Sequence, residues 1–331
     1  MALVGIAKLA AQASPLQHKR SVDYLQLATR SILNPCSSQR VPFEWTINPY
    51  RGCEYGCKYC YARYTHEFME LREPSAFERK IFVKSFQAAV FRRELAAVKA
   101  GARLAIGTAT DPYQPAERRF RITQQILEIL AQMRGLRLSI TTKSDLVARD
   151  APILAQLAKS HCLHVSFTVT TMDRRLARLL EPYAPRPDLR LRALRTLREH
   201  GIQAGVFASP LLPGLNDSLA SLRFLGQSIF EAGASYFGAN PLFLRPCSKQ
   251  VMLSLIEQRF PKLLARYQTL FRRADFLDEN YAHQVRKRVE AVRREFRLAP
   301  CPEDYLPPEA ADPQLSLFEP SWSGTPANAG R

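Results

Sequence analysis

This 331-residue chain has no apolar run approaching the roughly 18 residues of a membrane span, which excludes a helical membrane protein. No secretory leader is expected either. The start, MALVGIAKLAAQASPLQHKR, has a short apolar patch broken by Lys8 and no basic segment ahead of it, so it reads as a weakly amphipathic, partly disordered lead. Cysteine pairs are absent outside one cluster: of the seven cysteines, Cys36, Cys162, Cys247 and Cys301 stand alone. That excludes a disulfide framework and predicts a reducing, cytoplasmic location. Acidic residues are scarce, 30 against 47 lysines and arginines, and a charge of +17 attracts polyanions, nucleic acid first among them. A genome rich in arginine codons would give the same excess with no polyanion to bind.

What is present begins with 46% hydrophobic residues, enough to bury the core of one barrel-sized domain with appendages. After about residue 40 a β-rich run, a turn and a helical pattern recur. Strands are expected over 43–50, 102–111, 136–144, 161–171, 202–214 and 234–244. Helices are expected over 85–101, 117–135, the stretch through Lys159, 172–181, 188–201 and 217–233. Strands separated by helices of that length imply parallel β/α units. Six units predict an α/β protein with a partial (β/α)6, TIM-like barrel, whose ligands sit at the carboxyl ends of the strands. Those ends are small and polar: Gly107 and Thr108, Thr141 to Lys143, Thr168 and Thr170, Ser209, and Asn240. Cys162 opens a strand and is expected at its closed, buried end. The chain divides into an extension over 1–40, the barrel over 41–250, a basic helical extension over 251–298 and a disordered tail over 299–331.

RGCEYGCKYCYAR, residues 51–63, sets Cys53, Cys57 and Cys60 at CxxxCxxC spacing. Three thiolates are one short of a closed zinc site, and no second cysteine pair exists to supply the fourth. An electron-transfer ferredoxin would also need a fourth cysteine nearby. A four-iron cube takes one thiolate per iron, so three leave one iron open. An amino and carboxylate pair of the methionine type can chelate that iron, and an electron from the cluster can cleave the adjacent carbon–sulfur bond of S-adenosylmethionine (SAM).

Tyr59 immediately precedes the third cysteine, and CxxxCxxC with an aromatic there resembles the radical SAM enzymes. NPYRGCEYGCKYCYAR, GTATDPYQPAE, TTKSDLVARD, LEPYAP and SPLLPGLND, in that order over residues 40–245, resemble the narrower spore photoproduct lyase-like, or "DNA repair photolyase", group. The resemblance implies a 4Fe–4S cluster on Cys53, Cys57 and Cys60 that reductively cleaves SAM to a 5′-deoxyadenosyl radical. It implies a low-potential electron donor such as flavodoxin or ferredoxin. It places Tyr59 against the adenine, Gly107, Thr108 and Thr110 near the SAM amino group, and Lys143 near its carboxylate. Thr168 and Thr170 would hold ribose or carboxylate, with Ser209 and Asn240 lining the same mouth. Asp111 has an equal claim to a structural role, capping the turn DPYQP. In one respect the chain departs from the group: where the lyase carries a hydrogen-donating cysteine, this chain has Thr108, whose hydroxyl is a far poorer hydrogen-atom donor. Cys247 and Cys36 are the alternative donors and His66 a candidate proton relay, each with a buried structural role as the competing reading.

Resemblance and charge together imply a nucleic-acid substrate, DNA before RNA, and a place in DNA repair. RNA modification and protein activation are the alternatives among radical SAM enzymes, and a DNA-binding protein with a structural or redox-sensing cluster is the alternative from another class. In the tail, QLSLF resembles a peptide that docks on the sliding clamp, with Leu315, Leu317 and Phe318 as apolar anchors and Gln314 as the polar contact.

Overall fold

A computed structural model describes residues 3–19, 21–38 and 41–302. In chain order its strands are β1 (Ser14–Lys19), β2 (Val22–Leu27), β3 (Leu33–Pro35), β4 (Trp45–Ile47), β5 (Tyr50–Arg51) and β6 (Lys80–Lys84), then β7 (Arg103–Ile106), β8 (Arg137–Thr142), β9 (Cys162–Phe167), β10 (Gln203–Leu211) and β11 (Phe237–Pro241). The main sheet has the order β11-β10-β9-β8-β7-β4-β3. Every neighbouring pair is parallel except β3 with β4. The six parallel strands are the six that the sequence alternation predicts, in an open sheet of α/β class.

These strands form where apolar and β-branched residues run together, because helices cover them and leave no face to water. Ile106, Ile140, Val165 and Val206 are at most 1% exposed in the main core. Helices start at side-chain caps: Asp173 accepts from the amides of Arg175 (2.8 Å) and Leu176 (3.1 Å), and Ser218 accepts from Ser221 (3.1 Å). The single helix expected over 117–135 is two, Glu117–Phe120 and Ile122–Leu130, broken at Arg121 with φ +50°. The buried Glu117 carboxylate explains the break. It accepts from the amides of Thr123 (2.9 Å) and Gln124 (3.2 Å), capping the second helix, and from the Tyr50 hydroxyl (2.5 Å).

Two stretches, the lead and residues 299–302, are more regular than the sequence implies. The lead, expected to be weakly amphipathic and partly disordered, forms a helix, Gly5–Ala11, and strands β1 to β3. β2 pairs in parallel with β6, which pairs antiparallel with β5, and Leu27 and Tyr24 are buried there. The missing signal is the partner: β1 is mostly exposed and gives no alternation, and β2 buries its apolar residues only once β6 arrives from far along the chain. At the other end the tail expected from 299 still pairs with the sheet. Ala299 bridges Tyr236 and accepts from the Phe237 amide at 2.9 Å, and Cys301 is buried against Gly238. Cys162, expected to be buried, is exposed at the amino end of β9. No helix among the described residues is long and apolar enough to cross a membrane.

Candidate active site

The carboxyl end of β4 leads through β5 into the cysteine loop. A second apolar cluster underlies it, in which Cys53, Cys57 and Tyr59 pack with Phe77, Leu180 and Leu212. Gly52 turns the chain at φ +80°, where an added Cβ would meet the Lys80 and Phe77 carbonyl oxygens at 2.8 Å, so only glycine fits. Its own carbonyl accepts from the Thr110 hydroxyl (2.6 Å) and Gln114 Nε2 (3.0 Å), while Gln114 Oε1 accepts from the Glu54 amide (3.0 Å). The Lys58 amide donates to the Leu180 carbonyl (2.9 Å), and Arg63 donates to the Cys57 carbonyl (3.1 Å) and Glu78 (2.7 Å). The loop is held from several elements before any cofactor arrives.

None of the three cysteines is in a disulfide, and Cys53 and Cys57 are buried. Burial pushes the Cys57 thiol up to about 12, with Lys143 pulling it down and Glu181 pushing it further up. Binding iron as thiolate therefore releases protons, which neighbouring cations assist. Among the described residues no group of three or more His, Cys, Asp or Glu closes on a single metal ion. A cube binds each thiolate to a different iron, so the donor set suits a cluster: buried, unpaired sulfurs on one braced loop with cations beside them.

Lys143, just past β8, carries its Nζ 5.6 Å from the centre of the Tyr59 ring. Burial works against its charge, but Cys57 and Glu181 outweigh burial and hold its pKa above the ordinary lysine value. The Tyr59 hydroxyl donates to Glu181. Glu181 pairs with Arg190 at 2.5 Å, and both side chains are at most 1% exposed. Burial raises the Glu181 pKa, yet Arg190 and Lys143 reverse this and keep it ionised below the usual carboxylate range. Arg190 also donates to the carbonyls of Thr168 and Pro185, both at 2.8 Å, and Asn216 donates to the Thr170 carbonyl at 2.8 Å. Glu181, Arg190 and Asn216 are site residues that sequence reasoning did not single out. A signal existed for Arg190, which shares a helix face with Leu194 and Leu197 at i+4 and i+7.

The remaining candidates take different places. Gly107 (φ +92°) has no room for a Cβ, which would meet Pro112 at 2.6 Å, and Thr110 is spent on Gly52, so both brace the site. The Asp111 carboxylate accepts from the Lys143 amide (2.7 Å), the Thr142 hydroxyl (2.7 Å) and the Tyr113 amide (2.9 Å), tying β7 to β8. Thr108 faces the loop: its hydroxyl accepts from Asn48 at 2.9 Å, and its carbonyl accepts from Tyr61. The Thr170 hydroxyl lies 3.5 Å from Glu181, while Ser209 and Asn240 lie partly exposed on β10 and β11. Cys247, in the first turn of the helix Pro246–Arg259, and Cys36 both lie within electrostatic reach of Tyr64, and Cys247 also of Cys60. His66 is wedged between Phe77 and Phe82, its Nε2 3.0 Å from the Lys80 carbonyl. Burial pulls its pKa down to about 4, so at neutral pH the ring is uncharged and Nε2–H donates. Gln314, Leu315, Leu317 and Phe318 lie outside the described residues.

A parallel β/α sheet that ends in a braced loop of three thiols describes a cluster enzyme whose ligands enter at the strand ends. The chain belongs to the radical SAM superfamily, whose sequence profile matches residues 47–225. It is accordingly an enzyme whose cofactors are a 4Fe–4S cluster and SAM. An uncharacterized protein of Mycobacterium tuberculosis is 34% identical over 280 residues, covering 84% of this chain and 82% of its own. Another, of Methanocaldococcus jannaschii, is 29% identical over 275 residues, covering 82% of this chain and 96% of its own. The fold is shared with spore photoproduct lyase, crystallised with bound AdoMet and dinucleoside spore photoproduct. The TM-score is 0.62 at 17% identity, over 82% of this chain and 79% of that one.

Proposed function

We propose that this radical SAM enzyme acts on nucleic acid, with damaged DNA as the favoured substrate and repair as the outcome. The observation that carries this reading is a row of aromatic rings beginning beside the cluster loop. Tyr61, bonded to the Thr108 carbonyl, lies 6.4 Å from Tyr64 and 5.3 Å from Phe243. Tyr64 continues to Phe68 (5.5 Å), and Phe243 stacks on Phe276 (5.3 Å). The ends are open, Phe68 being 46% and Phe276 44% exposed, and the Arg245 guanidinium lies 4.6 Å over the Tyr64 ring. Aromatic faces interleaved with arginine suit stacked bases and their phosphates.

Cys53, Cys57 and Cys60 would hold the cluster, Lys143 would meet the SAM carboxylate, and Tyr59 would lie along the adenine. Bound there, cluster and SAM supply a 5′-deoxyadenosyl radical once an electron is delivered. The chain's own part is placement and shielding. Glu181 fixes the Tyr59 hydroxyl, and the Glu181–Arg190 pair ties that tyrosine to the end of β9. A donor of the flavodoxin or ferredoxin class, acidic on its docking face, would suit a cavity of about 450 Å³ that reaches Tyr55 of the cluster loop and is lined by Arg118, Arg178 and Arg186. Cys247, beside Tyr64 and Cys60, is the better placed of the two candidate thiol donors.

The test is anaerobic turnover of the reduced, reconstituted enzyme with SAM and separately deuterated DNA (irradiated and intact), RNA and peptide pools. Deuterium in 5′-deoxyadenosine only with DNA is the expected result. Label arriving solely from RNA or peptide would replace the substrate, and SAM cleavage absent under every condition would refute the enzyme's assigned chemistry.

A further inference from the structure

Buried cations are normally paired, because removing a charge from water costs several kcal/mol unless an opposite charge replaces the lost solvation. Two cations beside the cysteine loop break this rule. In the antiparallel β5–β6 ladder Arg51 stands opposite Phe82, and Lys84 is two residues further along β6. Opposed residues share a face and alternate residues return to it, so Arg51 and Lys84 are diagonal neighbours on one face.

Lys84 is 5% exposed, and among the described residues its charge meets only that of Arg51. Burial and Arg51 together pull its pKa down to about 7. Arg51 is half-buried, and its buried Nε has no hydrogen-bond partner. Both Arg51 and Arg245 act electrostatically on Tyr64, so two cations converge on that phenol, and Lys84 adjoins the first of them. The acid near this group is Glu67, which acts on Cys247 and is itself exposed.

We propose that Arg51 and Lys84, with Arg245 across Tyr64, form a binding site for a phosphate group, filled in turnover by a phosphodiester of the nucleic-acid substrate. An anion between the two side chains reverses both costs at once, their mutual repulsion and their lost solvation. Its place beside Tyr64 would anchor a backbone phosphate next to a base lying on the aromatic row. The inorganic-anion site stands on the unpaired cations alone, while its assignment to a phosphodiester rests on the nucleic-acid reading given above.

Two measurements separate those claims. In the first, thermal unfolding of the cluster-loaded protein is followed in chloride and in low-millimolar inorganic phosphate at matched ionic strength. Phosphate is expected to raise the wild-type Tm. Lys84→Met should abolish that rise and unfold in chloride no lower than wild type, because it removes an unpaired buried charge. Lys84→Arg should restore the rise. An unchanged rise in Lys84→Met, or no rise in wild type, overturns the site. If Lys84→Met does not fold, Arg245→Gln carries the same comparison, with a reduced rise expected and an unchanged one overturning the site.

In the second, fluorescence anisotropy measures a labelled single-stranded oligonucleotide across a salt series. Lys84→Met should bind roughly tenfold more weakly, with a salt slope shallower by about 0.7. Equal affinity and slope in the two proteins overturn the phosphodiester assignment while leaving nucleic-acid binding intact. A phosphate-dependent Tm rise that Lys84→Met loses, in a protein that binds no oligonucleotide, overturns the nucleic-acid reading and keeps the anion site.

Discussion

The buried cations around the cysteine loop are held in two contrasting ways. On the sheet side Lys143 and Arg190 face Glu181, and beneath the loop Arg63 pairs with Glu78 at 2.7 Å. On the β5–β6 side Arg51 and Lys84 share a face with no carboxylate between them. A cation that faces a carboxylate is part of the scaffold, since its Coulomb energy is realised in the folded protein itself. An unsatisfied pair is a standing cost that only a ligand relieves. The contrast separates the groups that build the site from those that wait for something to enter it.

Cys57→Ala sets the outer bound on this comparison, because it leaves both sets of cations in place. It should abolish the brown absorbance of the reconstituted cluster and reduce SAM cleavage to background, and full cleavage in the variant would refute the ligand assignment. Glu181→Gln turns the paired side into a second unpaired one. Arg190 and Lys143 are then left with uncompensated charge, and denaturant unfolding should show a loss of about 3–5 kcal/mol. The double variant Glu181→Leu, Arg190→Met should recover much of that loss, because both charges leave together.

Acid probes the same ground through His66, whose ring is packed between phenylalanines and faces the charges of Arg51, Arg63 and Lys80 as well as the Lys80 carbonyl. Its folded pKa, about 4, lies below the unfolded 6.5, so the unfolded chain binds the proton first. The stability it contributes is complete above pH 6.5 and is lost as pH falls toward 4, by roughly 3 kcal/mol. His66→Gln should flatten that part of the stability–pH curve, and a slope identical to wild type would rule out His66 as its source. The smallest change is Thr110→Val, which removes the hydroxyl bond to Gly52 and the one it accepts from Gln114, and leaves the Gln114 bond to Gly52 in place. A cost of about 1 kcal/mol in unfolding, with the cluster retained, would confirm a bracing role.

The cysteine loop and the six parallel strands were legible because each announces itself locally, through the spacing of three thiols and through β-branched runs separated by helices. Lys143 was legible by resemblance and its position by the strand end before it. Glu181 and Arg190 were not: in the stretch 174–198 arginines recur so often that the buried one differs from its solvated neighbours only by helix phase. The strands of the lead were not legible because β2 takes its apolar environment from β6. Thr110 and Gly107 were read near the cofactor from their place in GTATD; their bracing contacts, to Gly52 and against Pro112, come from tertiary packing that the sequence does not show.

The sequence by itself determined the chemistry this protein carries, since a thiol trio one ligand short, with a tyrosine before its last member, acts through covalent spacing that no packing can alter. Tertiary structure alone decided which charges are neutralised. Arg51 and Lys84 stand far apart in sequence and are ordinary basic residues there. Pairing β5 with β6 puts them on one face, where buried Lys84 and half-buried Arg51, with no carboxylate between them, suit an anion.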